Sequence, residues 1–125
     1  MDTPTILDAW AEAARPILMD IARQDTIITY RDLWNRIEST TTADTPPGLW
    51  RNHIGTILGI VADLNRRNEE PLMGALVVLK TTGEVSEGYD HGVAVRYGYI
   101  PADLTAHATA ERMKLYNWMT PTGIR

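Results

Sequence analysis

Cysteine and phenylalanine are both missing from this chain of 125 residues. Without cysteine, the chain can form no disulfides, no thiolate metal sites and no cysteine nucleophiles. No segment approaches the roughly 18 consecutive apolar residues of a membrane-spanning helix. The first residues include Asp2, Asp8 and Glu12 and are too acidic for a signal peptide. These absences predict a cytoplasmic protein with no membrane segment, whose origin could be bacterial or phage.

Basic residues are in deficit, with 12 Lys and Arg against 16 Asp and Glu, so the formal net charge is −4. Nucleic-acid-binding proteins usually carry a basic excess, because releasing counterions from phosphates supplies much of their affinity. Any contact with DNA would therefore have to come from a local cluster of cations. Ten of the twelve basic residues are arginine, whose planar guanidinium suits bidentate contacts.

Motifs that carry catalysis are also absent. The chain has no glycine-rich phosphate loop, no Gly-x-Ser-x-Gly and no His-x-x-x-His. The densest group of titratable residues is Glu84, Glu87, Asp90 and His91, and its spacing matches no metal-binding motif. We therefore predict no cofactor, no metal and no enzymatic activity, and we expect these acids to keep the surface of their segment soluble.

The length fits one domain with its own core. Apolar residues at helical spacing predict helices at about 5–24, 30–38, 48–67, 90–97 and 103–119. Pro16 predicts a kink in the first helix or its division into two. The last helix is expected to bury Leu104, Ala108, Met113 or Met119, Leu115 and Trp118. All four tryptophans lie on apolar stripes and are predicted to be core residues: Trp10, Trp34, Trp50 and Trp118.

Residues 72–89 predict a β-hairpin, because two short runs flank the turn Thr81-Thr82-Gly83. Its strands are expected to pair with residues 27–29 and to cover the helices. Helices followed by a hairpin are the element order of a winged helix-turn-helix, in which the hairpin is the wing. The predicted fold is a single, mainly helical α+β domain. It has a winged-helix-like core at about 26–89 and helical extensions at 4–24 and 90–120.

Short motifs within this core follow one another in a recognisable order: Thr29-Tyr30-Arg31-Asp32-Leu33, Arg51-Asn52-His53-Ile54-Gly55, Asn65, Pro71, Val77-Val78, Gly83 and Gly88-Tyr89. This order resembles the winged-helix domain of the O-alkylguanine DNA alkyltransferases and the alkyltransferase-like proteins. The resemblance implies the fold and contact with DNA. It also places Tyr30 and Arg51 where the family has residues that help rotate a base out of the duplex.

Departures from the family restrict what the resemblance implies. The reactive cysteine and the neighbouring histidine and arginine are missing, since Pro71 is followed by Leu-Met-Gly-Ala. Alkyl transfer to this chain is therefore excluded. Arg31 stands where the family has glycine, and the residues that line the family's base pocket are not recognisable. The resemblance therefore carries no base recognition.

The leading prediction is a non-enzymatic domain that binds duplex DNA through the 48–67 helix and the 80–83 hairpin tip. Arginine and asparagine at the start of a helix can contact guanine and adenine edges in the major groove. A lysine with hydroxyl neighbours suits phosphate contacts, although Glu84 and Glu87 would repel a phosphate. The predicted DNA-contacting residues are Tyr30, Arg31, Arg51, Asn52, His53, Lys80, Thr81 and Thr82.

A protein-protein interaction module is the alternative that the sequence leaves open. Tyr116, Trp118 and Met119 lie near the end of the last helix and could form a docking or dimer face. The protein would then be an adaptor, an inhibitor or an assembly subunit of a phage or of a bacterial defence or regulatory system. This alternative predicts a protein partner or a homodimer and no contact with DNA.

Overall fold

A computed structural model of the protein describes residues 2–119. This part of the chain contains two short strands, β1 (Ile28–Thr29) and β2 (Val77–Val78), and five helices. The helices are α1 (Thr3–Arg23), α2 (Tyr30–Thr40), α3 (Ile54–Arg67), α4 (Tyr89–Tyr97) and α5 (Leu104–Trp118). The mainly helical α+β class is confirmed. Within residues 2–119, no helix has both the length and the apolar content that crossing a bilayer requires.

Helix α1 is the central element of the core. Asp2 caps it by accepting the Thr5 N–H at 2.9 Å, and the helix continues through Pro16 to Arg23 as one element. The division into two helices that Pro16 suggested does not occur, because buried residues on both sides of the proline pack against α2, α3 and α5. Trp10 is fully buried against Trp34, with ring centroids 4.4 Å apart. These two tryptophans are core residues, as predicted.

The predicted β-hairpin does not form. Val77–Val78 is the only strand within residues 72–89, and it pairs in parallel with β1, with Ile28 opposite Val77 and Thr29 opposite Val78. This pairing with residues 27–29 was expected. The chain then makes a tight turn closed by a 2.8 Å bond from the Leu79 N–H to the Glu84 carbonyl. The run after the turn is rich in Ser, Glu and Gly and leads directly into α4, so it supplies no second strand.

Helix α5 is less apolar on its inner side than predicted. It buries Ala108, Glu111 and Leu115, whereas Met113 is 52% exposed and Trp118 is 43% exposed. The burial of Trp118 was therefore predicted wrongly, and of the two alternatives Met113 and Met119 it is Met119 that packs against the core. Met113 lies half a helical turn away from the face that contains Ala108 and Leu115, and Trp118 is the last residue of the helix. Residue 120, the end of the predicted extension, lies outside the described residues.

A buried polar network holds the segment between α3 and β2. The Glu70 carboxylate accepts hydrogen bonds from Arg15 of α1 and from the Asn65 amide, the latter at 3.0 Å. Asn65 in turn accepts the Met73 N–H at 3.0 Å, and Arg96 of α4 donates to the Glu70 carbonyl at 2.6 Å. Asn65 is 0% exposed and Glu70 is 7% exposed. The network therefore ties α1, α3 and α4 together beneath the surface.

Glu111 forms a second buried anchor, on α5, with 1% of its surface exposed. It accepts the Leu72 N–H at 3.0 Å and the Tyr97 hydroxyl at 2.5 Å, and Lys114 pairs with it at 2.9 Å. Burial is the largest single effect on the pKa of Glu111 and raises it. The hydrogen bonds from Tyr97, Leu72 and Lys114 together outweigh burial and hold that pKa below its ordinary value. Glu111 is therefore an ionised residue inside the core.

Candidate nucleic-acid interface

An open groove of about 800 Å³ lies where the first turns of α2 and α3 meet the end of β2. Its walls contain four of the eight residues predicted to contact DNA, namely Tyr30, Arg31, Arg51 and Lys80. We call this feature the cationic groove. Its complete lining is Thr29, Tyr30, Arg31, Asp32, Trp50, Arg51, Ile54, Gly55, Val78, Leu79, Lys80 and Ser86.

The parallel pairing of β1 and β2 explains why distant residues meet in this groove. Thr29 and Val78 are the last residues of their strands and lie opposite each other. Parallel strands end at the same edge of a sheet. Tyr30 and Arg31 follow β1, and Lys80 lies shortly after β2. These three residues therefore lie at the same edge of the sheet.

The cations of the groove are unpaired, whereas most other cations within residues 2–119 pair with a carboxylate. Within residues 2–119, Arg31, Arg51 and Lys80 make no salt bridge. Arg96 bonds a backbone carbonyl. The remaining described Lys and Arg residues each pair with a carboxylate: Arg15, Arg23, Arg36, Arg66, Arg67, Arg112 and Lys114. The groove thus concentrates positive charge that no carboxylate neutralises at short range.

Two guanidiniums lie close to one aromatic ring. The Cζ atoms of Arg31 and Arg51 are each 5.4 Å from the centroid of the Trp50 ring. Such distances are typical of cation–π contacts, which orient a guanidinium without neutralising it. Trp50 packs against the core and also lines the groove. Its predicted role as a core residue was therefore incomplete, since part of its side chain faces the groove.

Helix ends add to the positive character of the groove. The first residues of both α2 and α3 line it, and the N-terminal end of a helix carries partial positive charge. At α2, the Thr29 hydroxyl accepts the Asp32 N–H at 3.2 Å. At α3, no side chain caps the first turn. Asp32 is the carboxylate residue in the lining, and it opposes these contributions in part.

The four other predicted DNA-contacting residues lie outside the groove lining. His53 donates from Nε2 to the Pro47 carbonyl at 2.6 Å and stacks on Trp34, so it holds the preceding loop in place. Asn52 is exposed next to Arg51. Thr82 accepts the Glu84 N–H at 3.1 Å within its own turn, and Thr81 is exposed. The structure thus gives His53 and Thr82 local structural roles.

Helix α3 cannot present its whole length to a ligand, because α1 and α4 cover most of it. Ile57 and Val61 are fully buried, and Gly59 packs against His91, which a Cβ atom would approach to 3.5 Å. Exposed residues remain at its two ends, around Arg51 and Gly55 and at Arg66 and Arg67. Since only the first of these ends lines the cationic groove, the predicted insertion of the 48–67 helix into DNA is proposed for its first turn alone.

The acidic residues near the 80–83 turn do not line the groove. Glu84 pairs with Arg112 of α5 at 3.6 Å, and Glu87 is exposed elsewhere. The carboxylates that were expected to repel a phosphate are thus absent from the groove lining. Among the described residues, no group of three or more His, Asp and Glu side chains is placed to hold a metal ion.

A smaller pocket lies next to the cationic groove. It has a volume of about 60 Å³ and shares Tyr30 and Ser86 with the groove lining. The hydroxyl oxygens of these two residues are 2.8 Å apart. Cavities that bind benzene measure about 150 Å³. A pocket of about 60 Å³ therefore has room for a few water molecules and none for a nucleobase.

The residues of the alternative prediction, a protein-docking face, are only partly available. Tyr116 is half-buried and donates its hydroxyl to the Thr26 carbonyl at 3.1 Å. Met119 packs against the core. Trp118 is the exposed member of the three.

Comparisons with protein-family models, with curated proteins and with solved structures found no match to this chain. The function is therefore inferred from the geometry and charge of the cationic groove.

Proposed function

We propose that this protein is a non-enzymatic DNA-binding domain whose cationic groove holds the phosphate backbone. One observation carries the proposal: of the four described cations without a carboxylate partner, Arg31, Arg51 and Lys80 line one groove, and the fourth, Arg96, donates to the Glu70 carbonyl. Guanidinium and ammonium groups are the main phosphate contacts in protein–DNA complexes. A local cluster of this kind is what a chain with a net charge of −4 requires for binding DNA.

Duplex DNA is the form that the sequence predicted, and a reduced winged-helix-like arrangement supports it. Two α-helices, α2 and α3, lie between β1 and β2, and the first turns of these helices supply the contacts. No hairpin wing is formed, so Lys80 at the end of β2 takes the place of the wing tip. Arg31 and Lys80 would hold phosphates on two sides of the groove. Arg51 would hold a further phosphate, and exposed Asn52 beside it would lie nearest the base edges.

The test is a binding titration at low salt with a labelled random duplex and a labelled single strand of equal length. We expect the Arg51→Ala/Lys80→Ala variant to bind roughly tenfold or more weakly than the wild type. The slope of log affinity against log salt should fall by about two units, because about two phosphate contacts are lost.

The matched control is Arg66→Ala/Arg67→Ala, which removes the same charge at the far end of α3. There both arginines pair with Asp63, at 2.8 and 3.0 Å. We expect this control to change affinity little. Equal loss in the two double variants, or no binding of either DNA form at micromolar protein, would contradict the proposal.

A protein partner is the second candidate function, and the exposure of Met113 and Trp118 on α5 supports it. Large apolar side chains on a surface are common at protein interfaces. A pull-down from native lysate with and without nuclease separates the two functions. A partner that survives nuclease and is lost with Met113→Ala/Trp118→Ala supports the second candidate.

A further inference from the structure

Phosphate binding alone does not explain why a tryptophan, Trp50, lines the cationic groove. Lysine and arginine suffice for backbone contacts, yet the groove wall also contains an indole that two guanidiniums approach. Each guanidinium carbon lies 5.4 Å from the ring centroid, so the line that joins the two carbons stays within that distance of the ring centre. A strand whose phosphates reach both Arg31 and Arg51 therefore runs close to Trp50.

The pocket next to the groove is too small to hold a base. The neighbouring pocket, beyond the Tyr30–Ser86 contact, has only about 60 Å³. A base that enters the groove must therefore lie on its wall. Aromatic side chains are the usual stacking surfaces for bases, and every base has a face that can stack on them.

We propose that the groove prefers single-stranded DNA, with one unpaired base stacked on Trp50 and its flanking phosphates held by Arg31 and Arg51. This inference rests on the proposed function and specifies the ligand of the same groove. In a duplex, the base between two contacted phosphates lies inside the helix and cannot reach the indole. In a single strand the base is free, so the guanidiniums turn from the ring to the phosphates and the base takes the ring face.

The experiment is a cycle of protein and ligand changes. Wild type and Trp50→Ala are titrated with labelled oligothymidylate and with an abasic oligonucleotide that has the same number of phosphates. We expect Trp50→Ala to weaken oligothymidylate binding roughly tenfold. Its affinity for the abasic strand should equal that of the wild type. Trp50→Tyr should retain most of the affinity for oligothymidylate, because tyrosine can also stack.

Trp118→Ala is the matched control, since Trp118 is an exposed tryptophan that does not line the groove. It should bind oligothymidylate as the wild type does. Thermal unfolding of each variant shows whether it is folded. If Trp50→Ala is unfolded, Trp50→Tyr provides the test. The inference is supported if both the wild type and Trp50→Tyr bind oligothymidylate more tightly than the abasic strand.

Two failures can be told apart. If wild type binds the abasic strand, oligothymidylate and duplex equally, the base does not contact the protein and this inference is overturned, while the proposed function stands. If no DNA form binds at micromolar protein, the proposed function fails and this inference fails with it.

Discussion

The Arg15→Met variant is expected to lose about 3 kcal/mol of unfolding free energy, because it leaves the Glu70 carboxylate buried without its cation. Glu70 is 7% exposed and accepts hydrogen bonds from Arg15 and Asn65. Breaking a buried ion pair from one side typically costs about 3–5 kcal/mol. The lower end applies here, since the Arg15 side chain is 22% exposed and water can reach part of it. Chemical denaturation measures the loss.

A second substitution tests the cause of this loss. In Arg15→Met/Glu70→Gln the buried charge is gone, while the glutamine oxygen can still accept from Asn65. This double variant should therefore recover most of the lost stability. Arg36→Met is the matched control, because Arg36 pairs with Asp20 at 3.8 Å and the two side chains are 43% and 46% exposed. It should cost at most about 1 kcal/mol. Equal losses for Arg15→Met and Arg36→Met would contradict the account.

Glu111→Ala is expected to destabilise the protein by a similar amount, about 3 kcal/mol. The substitution removes the acceptor of the Leu72 N–H and of the Tyr97 hydroxyl. Leu72 is 1% exposed, so water cannot easily replace the lost bond. Glu111→Gln keeps an oxygen for these donors and should cost less. Glu12→Ala changes an exposed glutamate of α1 and should shift stability by no more than about 0.5 kcal/mol.

The contribution of ionised Glu111 also depends on pH. Its folded pKa lies below the ordinary value of 4.5, so its contribution to stability is complete above about pH 4.5. It is lost as the pH falls through the folded pKa. Glu111→Gln should therefore lose less stability than the wild type on acidification below about pH 4.5. Identical acid-unfolding curves for the two proteins would show that Glu111 is not ionised in the fold.

Helical periodicity was informative where an apolar stripe faces the core directly. It predicted the helix at 30–38, and the apolar residues of that segment, Leu33, Trp34 and Ile37, are all buried in α2. The predicted pairing of the hairpin's strands with residues 27–29 is confirmed for residues 77–78 only. The second strand was predicted wrongly at 79–88, because a turn followed by polar residues looks like a hairpin in sequence. Whether such a run pairs depends on tertiary contacts, and here α4 begins instead.

The cations of the candidate site were predicted from the sequence, but its aromatic residue, Trp50, was not. Arg31, Arg51 and Lys80 were identified by type and position, but their common groove depends on the parallel pairing of β1 and β2. Trp50 lies four residues before Ile54 and was assigned to the same buried stripe. The chain instead makes a separate 3-10 turn at Trp50–Asn52. This breaks the helical register, so Trp50 reaches the groove.

The most direct test of the central claim is a map of backbone amide chemical shifts, recorded while oligothymidylate or duplex DNA is added to isotope-labelled protein. The account predicts that the largest changes occur at residues 29–32, 50–55 and 78–80, which border the cationic groove. Amides near Arg66 and along α5 should change little. Shifts centred on α5, or spread evenly over the surface with none concentrated at the groove, would contradict the claim that this groove binds DNA.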